Sequence, residues 1–194
     1  MIITFVACIH QNIHNQHPRE MNSKLITPRL LIISGIILFA SLMRLVPHFP
    51  NFTPVAAIAL FGGAYLGRKP VALIVPLLAL FISDIFLGFH NMMIPVYIGF
   101  AMIVLLGSLM RNRVRVPYII GGSLAGSLIF FLITNFAVWA FTPYYPPTIQ
   151  GLITSYTMAI PFFHAGLLGD LFYNTVFFGG FYLVRQYYPS LKLA

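Results

Sequence analysis

The chain has 194 residues, 59% of them hydrophobic and only 7% charged, with 15 glycines, 14 prolines and a formal charge of +8. Soluble domains carry roughly 25% charged residues, so a water-soluble catalytic domain is excluded and an integral membrane protein is expected. Five or six spans of about 20 residues would use nearly all of the length, which leaves room for one domain. The positive charge does not signal nucleic acid, because the basic residues come in twos and threes between apolar runs and form no single patch.

Residues 1–28 differ from the rest and are expected to be a disordered N-terminal extension. The apolar run at their start lacks the basic flank of a signal peptide. His10, His14 and His17 are spaced so that one helix face could present all three to a metal, with a plain extension as the alternative. The lone Cys8 cannot form an internal disulfide, and paired-cysteine zinc spacing is absent.

Six apolar segments follow, at about 29–46, 52–67, 71–89, 94–110, 117–141 and 161–186, bounded by charges, prolines and glycines. A six-helix, all-α transmembrane domain over 29–188 with a short tail at 189–194 is therefore expected. The stretch at 148–160, TIQGLITSYTMAI, is apolar enough to seek the membrane. It reads as an interfacial or re-entrant helix leading into the sixth span.

With the N-terminus inside, Arg19, Lys24, Arg29, Arg68, Lys69, Arg111, Arg113, Arg115, Arg185 and Lys192 fall on the cytoplasmic side. Arg44 is then the single basic residue outside. Such one-sidedness predicts six spans with both ends cytoplasmic.

Within the spans the only acidic residues are Asp84 and Asp170. An aspartate near a span centre costs about 2.5 to 3.5 kcal/mol to insert, so both should face protein or water. In the sixth span Gly166, Asp170, Tyr173 and Asn174 share one face, and in the fifth Asn135 and Trp139 are four apart. The connecting segments on the outer side add His48, Asn51, His90, Asn91, Tyr144, Tyr145, Gln150 and Tyr156. Apolar walls with sparse hydrogen-bonding groups are what a small-ligand pocket requires. The candidate substrate-binding set is Arg44, His48, Asn51, Asp84, Asn135, Trp139, Asp170 and Asn174.

Each of these residues also has a structural reading. Arg44 and Asp84 can neutralise each other as an ion pair. Asn135 and Asn174 can be interhelical hydrogen-bond glue, and Trp139 part of an interfacial aromatic belt. His48, His90 and His164 with the aspartates would be metal ligands, but isolated interfacial histidines are commoner, and no metal or cofactor is expected. Small-residue stripes at Ala59, Gly63 and Gly67, and at Gly121 with Ala125 and Gly122 with Gly126, serve either packing within the bundle or docking of a membrane partner.

The runs RLVPHFPNFTPVAAIALFGGAYLGRK, VPLLALFISDIFLGFH, LITNFAVWAFTPYYPPT and AIPFFHAGLLGDLFYNTVFFG resemble a widespread family of uncharacterised bacterial multi-pass membrane proteins. That family is in turn distantly similar to the S components, the substrate-binding subunits, of energy-coupling-factor (ECF) transporters. The resemblance implies a six-helix protein that captures a vitamin-like micronutrient in an outward-facing pocket. A transmembrane coupling subunit and ATPases would be its partners, with lipid around it. The sequence has no Gly-rich phosphate loop of its own. Two features depart from the S components: the small-residue stripe of the first helix is only partial, and the histidine-containing N-terminus of the nickel and cobalt members is missing. The alternative to substrate capture is a structural or assembly protein; an intramembrane enzyme built on the two aspartates has no supporting motif, and no catalytic residue is assigned.

Overall fold

A computed structural model describes residues 27–46, 49–66 and 70–188. Within them the chain is all-helical: α1 (Pro28–Leu42) closing in a 3-10 turn (Met43–Leu45), α2 (Val55–Leu66), α3 (Val71–Leu87), α4 (Met93–Leu109), α5 (Val116–Phe141) and α6 (Ile149–Tyr187). Three helical stretches, Pro28–Leu45, Val116–Phe141 and Ile149–Tyr187, are long and apolar enough to cross a membrane, and α2, α3 and α4 are shorter apolar helices. The expected extension at 1–28 falls almost wholly outside the described residues, as do the 189–194 tail, His48 and Gly67.

The centre of the bundle is its shortest helix. Every residue of α2 except Leu66 is buried, and α2 touches each of the other five helices. Its sequence, VAAIALFGGAYL, allows this because one side is nearly devoid of side chain. A Cβ built on Gly63 would overlap the Val104 carbonyl oxygen of α4, and one on Gly107 would overlap the Leu60 carbonyl oxygen of α2. The two backbones therefore touch at a reciprocal pair of glycines, the arrangement that lets helices associate where lipid tails are as apolar as the side chains. Gly62 meets α3 in the same way, its Cβ position lying 2.6 Å from Pro76 Cγ.

The opposite side of α2 is aromatic. Phe61 stands edge-on to Phe178 and Phe181 of α6, with centroids 5.3 and 5.8 Å apart, and Tyr65 lies 4.5 Å from Phe181. These edge-to-face contacts lock α2 to α6 through ring geometry as well as through area. Small residues on one side and rings on the other fix the rotation of the central helix.

The ends of the bundle carry different chemistry. At one, Arg29 of α1 donates to the Tyr65 carbonyl at 3.1 Å, and Arg111 and Arg185 lie within electrostatic range of Arg29. At the other sits Arg44, the arginine set apart by the charge pattern.

Two elements differ from the sequence expectation. The second apolar segment was expected from residue 52, but α2 starts at Val55. Asn51 has φ 62, in the left-handed region that an asparagine tolerates, and Pro54 disfavours helical geometry at Thr53. The stretch at 148–160 is not a separate helix, because it forms the first turns of α6. At 1.5 Å per residue the 39 residues of α6 run to about 58 Å, nearly twice a hydrocarbon core. Thr148 caps it by accepting from the Gly151 N–H at 3.1 Å. Pro161 removes only one backbone donor from its interior. The added turns are tied to α5, with Ser155 Oγ donating to the Asn135 carbonyl at 3.1 Å and Tyr156 to the Leu132 carbonyl at 2.9 Å.

Candidate functional site

The polar residues singled out from the sequence fall into two separate networks. In the first, Arg44 Nη1 donates to Asp84 Oδ1 at 2.8 Å and to Ser83 Oγ at 2.6 Å. Tyr97 Oη donates to the other carboxylate oxygen at 2.9 Å, and Ser83 Oγ donates to the Leu80 carbonyl at 2.7 Å. The side chains are 14% and 3% exposed, so this is a buried ion pair with both carboxylate oxygens held. It joins the end of α1, the last turn of α3 and the first turn of α4. Replacing Tyr97 by Phe leaves Asp84 Oδ2 without its donor; a loss of about 1.5–3 kcal/mol is expected in reversible unfolding, with helix content unchanged.

The second network lies between α5 and α6. Asp170, only 6% exposed, has Ser127 Oγ at 2.6 Å from Oδ2. One turn further along each helix, Asn174 Nδ2 donates to Ser123 Oγ at 2.8 Å. The Ser123 hydroxyl donates to the Ile119 carbonyl at 2.8 Å. Asp170 and Asn174 are four residues apart on α6, as Ser123 and Ser127 are on α5, so the two pairs face each other as rungs.

Asp170 also lines a cavity of about 300 Å³ bounded by the 51–56 segment, α5 and α6. Its polar lining is Asn51, Thr53, Ser127, Thr134, Asn135 and Asp170, and its aromatic lining is Phe130, Phe131, Phe162 and Phe163. The non-helical segment that precedes α2 forms one wall because α6 makes room for it. The Cα of Phe52 would lie 3.2 Å from a Cβ on Gly169, and the Phe52 ring packs on Phe172 and Tyr173 at 5.7 and 5.6 Å. The left-handed turn at Asn51 thus feeds backbone and side chain into the space between helices.

Three candidates, Asn51, Asn135 and Asp170, line this cavity, and four described ones do not. Arg44 and Asp84 hold each other, which is the structural reading of that pair. Trp139 Nε1 donates to the Pro146 carbonyl at 3.0 Å and pins the proline-rich connector between α5 and α6. Asn174 lies one turn from Asp170, away from the cavity. Asn135 lines the cavity with its amide nitrogen bound to the Phe131 carbonyl of its own helix at 2.8 Å. The proposed docking stripe is internal: Ala59 and Gly63 are buried, with Gly63 against α4, and neither can meet a partner.

The two aspartates share no partner, so they form no carboxylate dyad. Among the described residues no group of three or more His, Cys, Asp or Glu could hold a metal ion. His90 and His164 are both exposed on the surface.

A family model described as "Family of unknown function (DUF6580)" matches residues 24–191. The chain belongs to the DUF6580 family. No curated protein and no solved structure matches it. The family match spans every helix of the bundle and the whole cavity, so the site belongs to the shared domain and not to an appended segment.

In this DUF6580 chain, sequence reasoning missed Ser123, Ser127, Thr53, Thr134 and the four cavity phenylalanines. The serines had one usable signal. Their spacing of four beside Gly122 and Gly126 repeats the spacing of Asp170 and Asn174, so both pairs mark inward faces of facing helices. The phenylalanines had none, since 19 are spread along the chain.

Proposed function

We propose that the chain is the substrate-capture subunit of a micronutrient uptake system in the bacterial cytoplasmic membrane. It binds a vitamin-like small molecule in the cavity between the 51–56 segment, α5 and α6. In this reading all six helices cross the bilayer, both ends lie inside, and the cavity opens toward the outer side. The observation that carries it is the cavity itself: about 300 Å³, walled by four phenylalanines and edged by hydroxyl and amide groups. That volume is at the lower end of small-molecule sites, which favours a compact ligand.

Recognition follows from the lining. The phenylalanine faces suit a flat ring, and Asn51, Thr53, Thr134 and Asn135 offer hydrogen bonds around it. Asp170 accepts from a donor-rich or cationic edge through the oxygen that Ser127 does not hold. Arg44 has no part in this, because it does not line the cavity and its Nη1 is held by Asp84 and Ser83. The ligand therefore needs no anionic group facing that arginine. With no phosphate-binding loop in the chain, energy for uptake would come from a coupling subunit and ATPases.

Protein extracted gently from its native membrane and sprayed in native mass spectrometry is expected to carry a releasable small-molecule adduct and to co-purify with ATPases. The competing reading, an assembly protein docking a partner through small residues, now rests on Gly121 and Ala125. Nothing lies within 4 Å of a Cβ on Gly121. That reading predicts an empty cavity and a co-purified protein that is not an ATPase.

A further inference from the structure

The network between α5 and α6 has more acceptors than protons. The Ser127 hydroxyl carries one hydrogen and faces two oxygens, the Ser123 carbonyl at 2.8 Å and Asp170 Oδ2 at 2.6 Å. If the proton goes to the carbonyl, as in an ordinary serine back-bond within a helix, two lone-pair-bearing oxygens are left 2.6 Å apart. Asn174 adds to the imbalance. It is 1% exposed, and while its nitrogen donates to Ser123, its Oδ1 is buried without any partner. An unpaired buried carbonyl forfeits the hydrogen bond that water would have given it, so a fold that keeps one is expected to fill it.

Charge points the same way. Asp170 has Ser127 as its hydrogen-bond partner and no arginine beside it. Arg44 is committed to Asp84, and Arg29, Arg111 and Arg185 gather at the other end of the bundle. Among the described residues, then, the carboxylate has no cation, in an interior where an uncompensated charge is costly.

Asp170, Asn174 and Ser123 line one narrow void between α2, α4, α5 and α6, closed on its other sides by Ala56, Leu60 and Ile103 and too tight for a water molecule. We propose that this void binds one dehydrated sodium ion, held by Asp170, the Asn174 Oδ1 and the Ser123 Oγ, with Ser127 outside the void holding Asp170 in place. All three side chains offer hard oxygens, the type that replaces the hydration shell of an alkali or alkaline-earth cation. A single carboxylate matches one positive charge and would leave a divalent ion half neutralised. The tightness of the space favours sodium over the larger potassium. One ion would satisfy the orphaned amide oxygen and neutralise the carboxylate. Because Asp170 also borders the larger cavity, an ion here would couple sodium to whatever that cavity holds.

The test is thermal unfolding of the full chain in detergent at constant ionic strength, with NaCl, KCl or choline chloride and no organic ligand added. The expected result is a saturable rise of the midpoint by several degrees in NaCl, smaller in KCl and absent in choline chloride. Asp170→Asn and Asn174→Leu should each abolish the sodium response. Should Asp170→Asn fail to fold, Asn174→Leu and a direct ²²Na⁺ binding measurement on the wild-type chain decide the matter. A midpoint indifferent to the cation overturns the proposal, as does a sodium response that survives both substitutions. A midpoint that follows pH identically in NaCl and choline chloride also overturns it, because the carboxyl would then carry a proton instead. Organic ligand is left out of every arm, so failure of the uptake reading would leave this result standing.

Discussion

Replacing Gly63 or Gly107 with leucine is expected to abolish the folded bundle, a loss above about 4 kcal/mol. At both positions the first side-chain atom would occupy the place of a backbone carbonyl oxygen on the facing helix, Val104 for Gly63 and Leu60 for Gly107. A flexible side chain can swing aside, but a helix backbone cannot move without displacing everything packed on it. The displacement would spread, because α2 touches all five other helices. Gly35 and Gly121 supply the control, since a Cβ on either meets nothing within 4 Å. Gly121→Leu should elute as a monodisperse peak in size-exclusion chromatography with an unchanged unfolding midpoint. Gly63→Leu and Gly107→Leu should aggregate or fail to express. If Gly63→Leu behaves like Gly121→Leu, the close α2–α4 approach is not what holds the core.

The second large effect concerns Arg44. Arg44→Met leaves the Asp84 carboxylate, 3% exposed, with only Tyr97 to offset its charge, and a loss of about 3–5 kcal/mol is expected. Removing the carboxylate as well should recover most of it. An apolar pair can replace a buried ion pair at little cost, whereas a single buried charge cannot be left alone. The double variant Arg44→Met/Asp84→Leu should therefore unfold close to the wild type, with Asp84→Leu alone in between. Reversible unfolding of the four proteins gives the coupling energy directly. A near-zero coupling would mean that the pair does not hold α1, α3 and α4 together, and Arg44 would return as a candidate ligand contact.

The sequence reveals the helical class and the uneven charge distribution because both depend on composition and spacing. Arg44 stands apart from the other described arginines in the structure as it does in the charge pattern. Its pairing with Asp84 was one of two accounts open from the sequence, and only geometry separates them. Spacing along a chain cannot say that Tyr97 and Ser83 complete the shell around Asp84. The small-residue stripe of α2 was legible as a stripe, but which surface it faces depends on the whole packing, and it faces inward.

The cavity was legible in part. Asn51, Asn135 and Asp170 were found because polar residues in apolar runs are few and expensive. Ser123 and Ser127 were not, because a serine in an apolar helix usually satisfies itself on the preceding turn, as Ser108 does on the Leu105 carbonyl here. The continuity of α6 through Pro161 was hidden for a related reason. Proline is read as a boundary, yet in a membrane helix the freed carbonyl is tolerated when neighbours tie the adjoining turns, as Ser155 and Tyr156 do. The non-helical start of the α2 segment is the counterpart: an apolar run that looks helical is interrupted by the left-handed Asn51 and held open by Pro54.

Arg44 and the residues at 51–53, close together in the sequence, thus have different work. Arg44 clamps three helices, while Asn51 and Thr53 form a wall of the cavity. That division leaves the cavity as the central claim, and Gly166 offers the sharpest handle on it. Gly166 lines the cavity, and a Cβ there meets only the Asn51 carbonyl oxygen, at 3.6 Å, an ordinary contact. Gly166→Leu should therefore fill the site without disturbing the fold. The decisive measurement is equilibrium binding of a radiolabelled panel of water-soluble vitamins to wild type and Gly166→Leu, with unfolding midpoints recorded in parallel. Saturable binding of at least one compound to the wild type, weakened at least about tenfold in Gly166→Leu at an unchanged midpoint, is the predicted result. Equal binding by both proteins, or none by the wild type, would contradict the account.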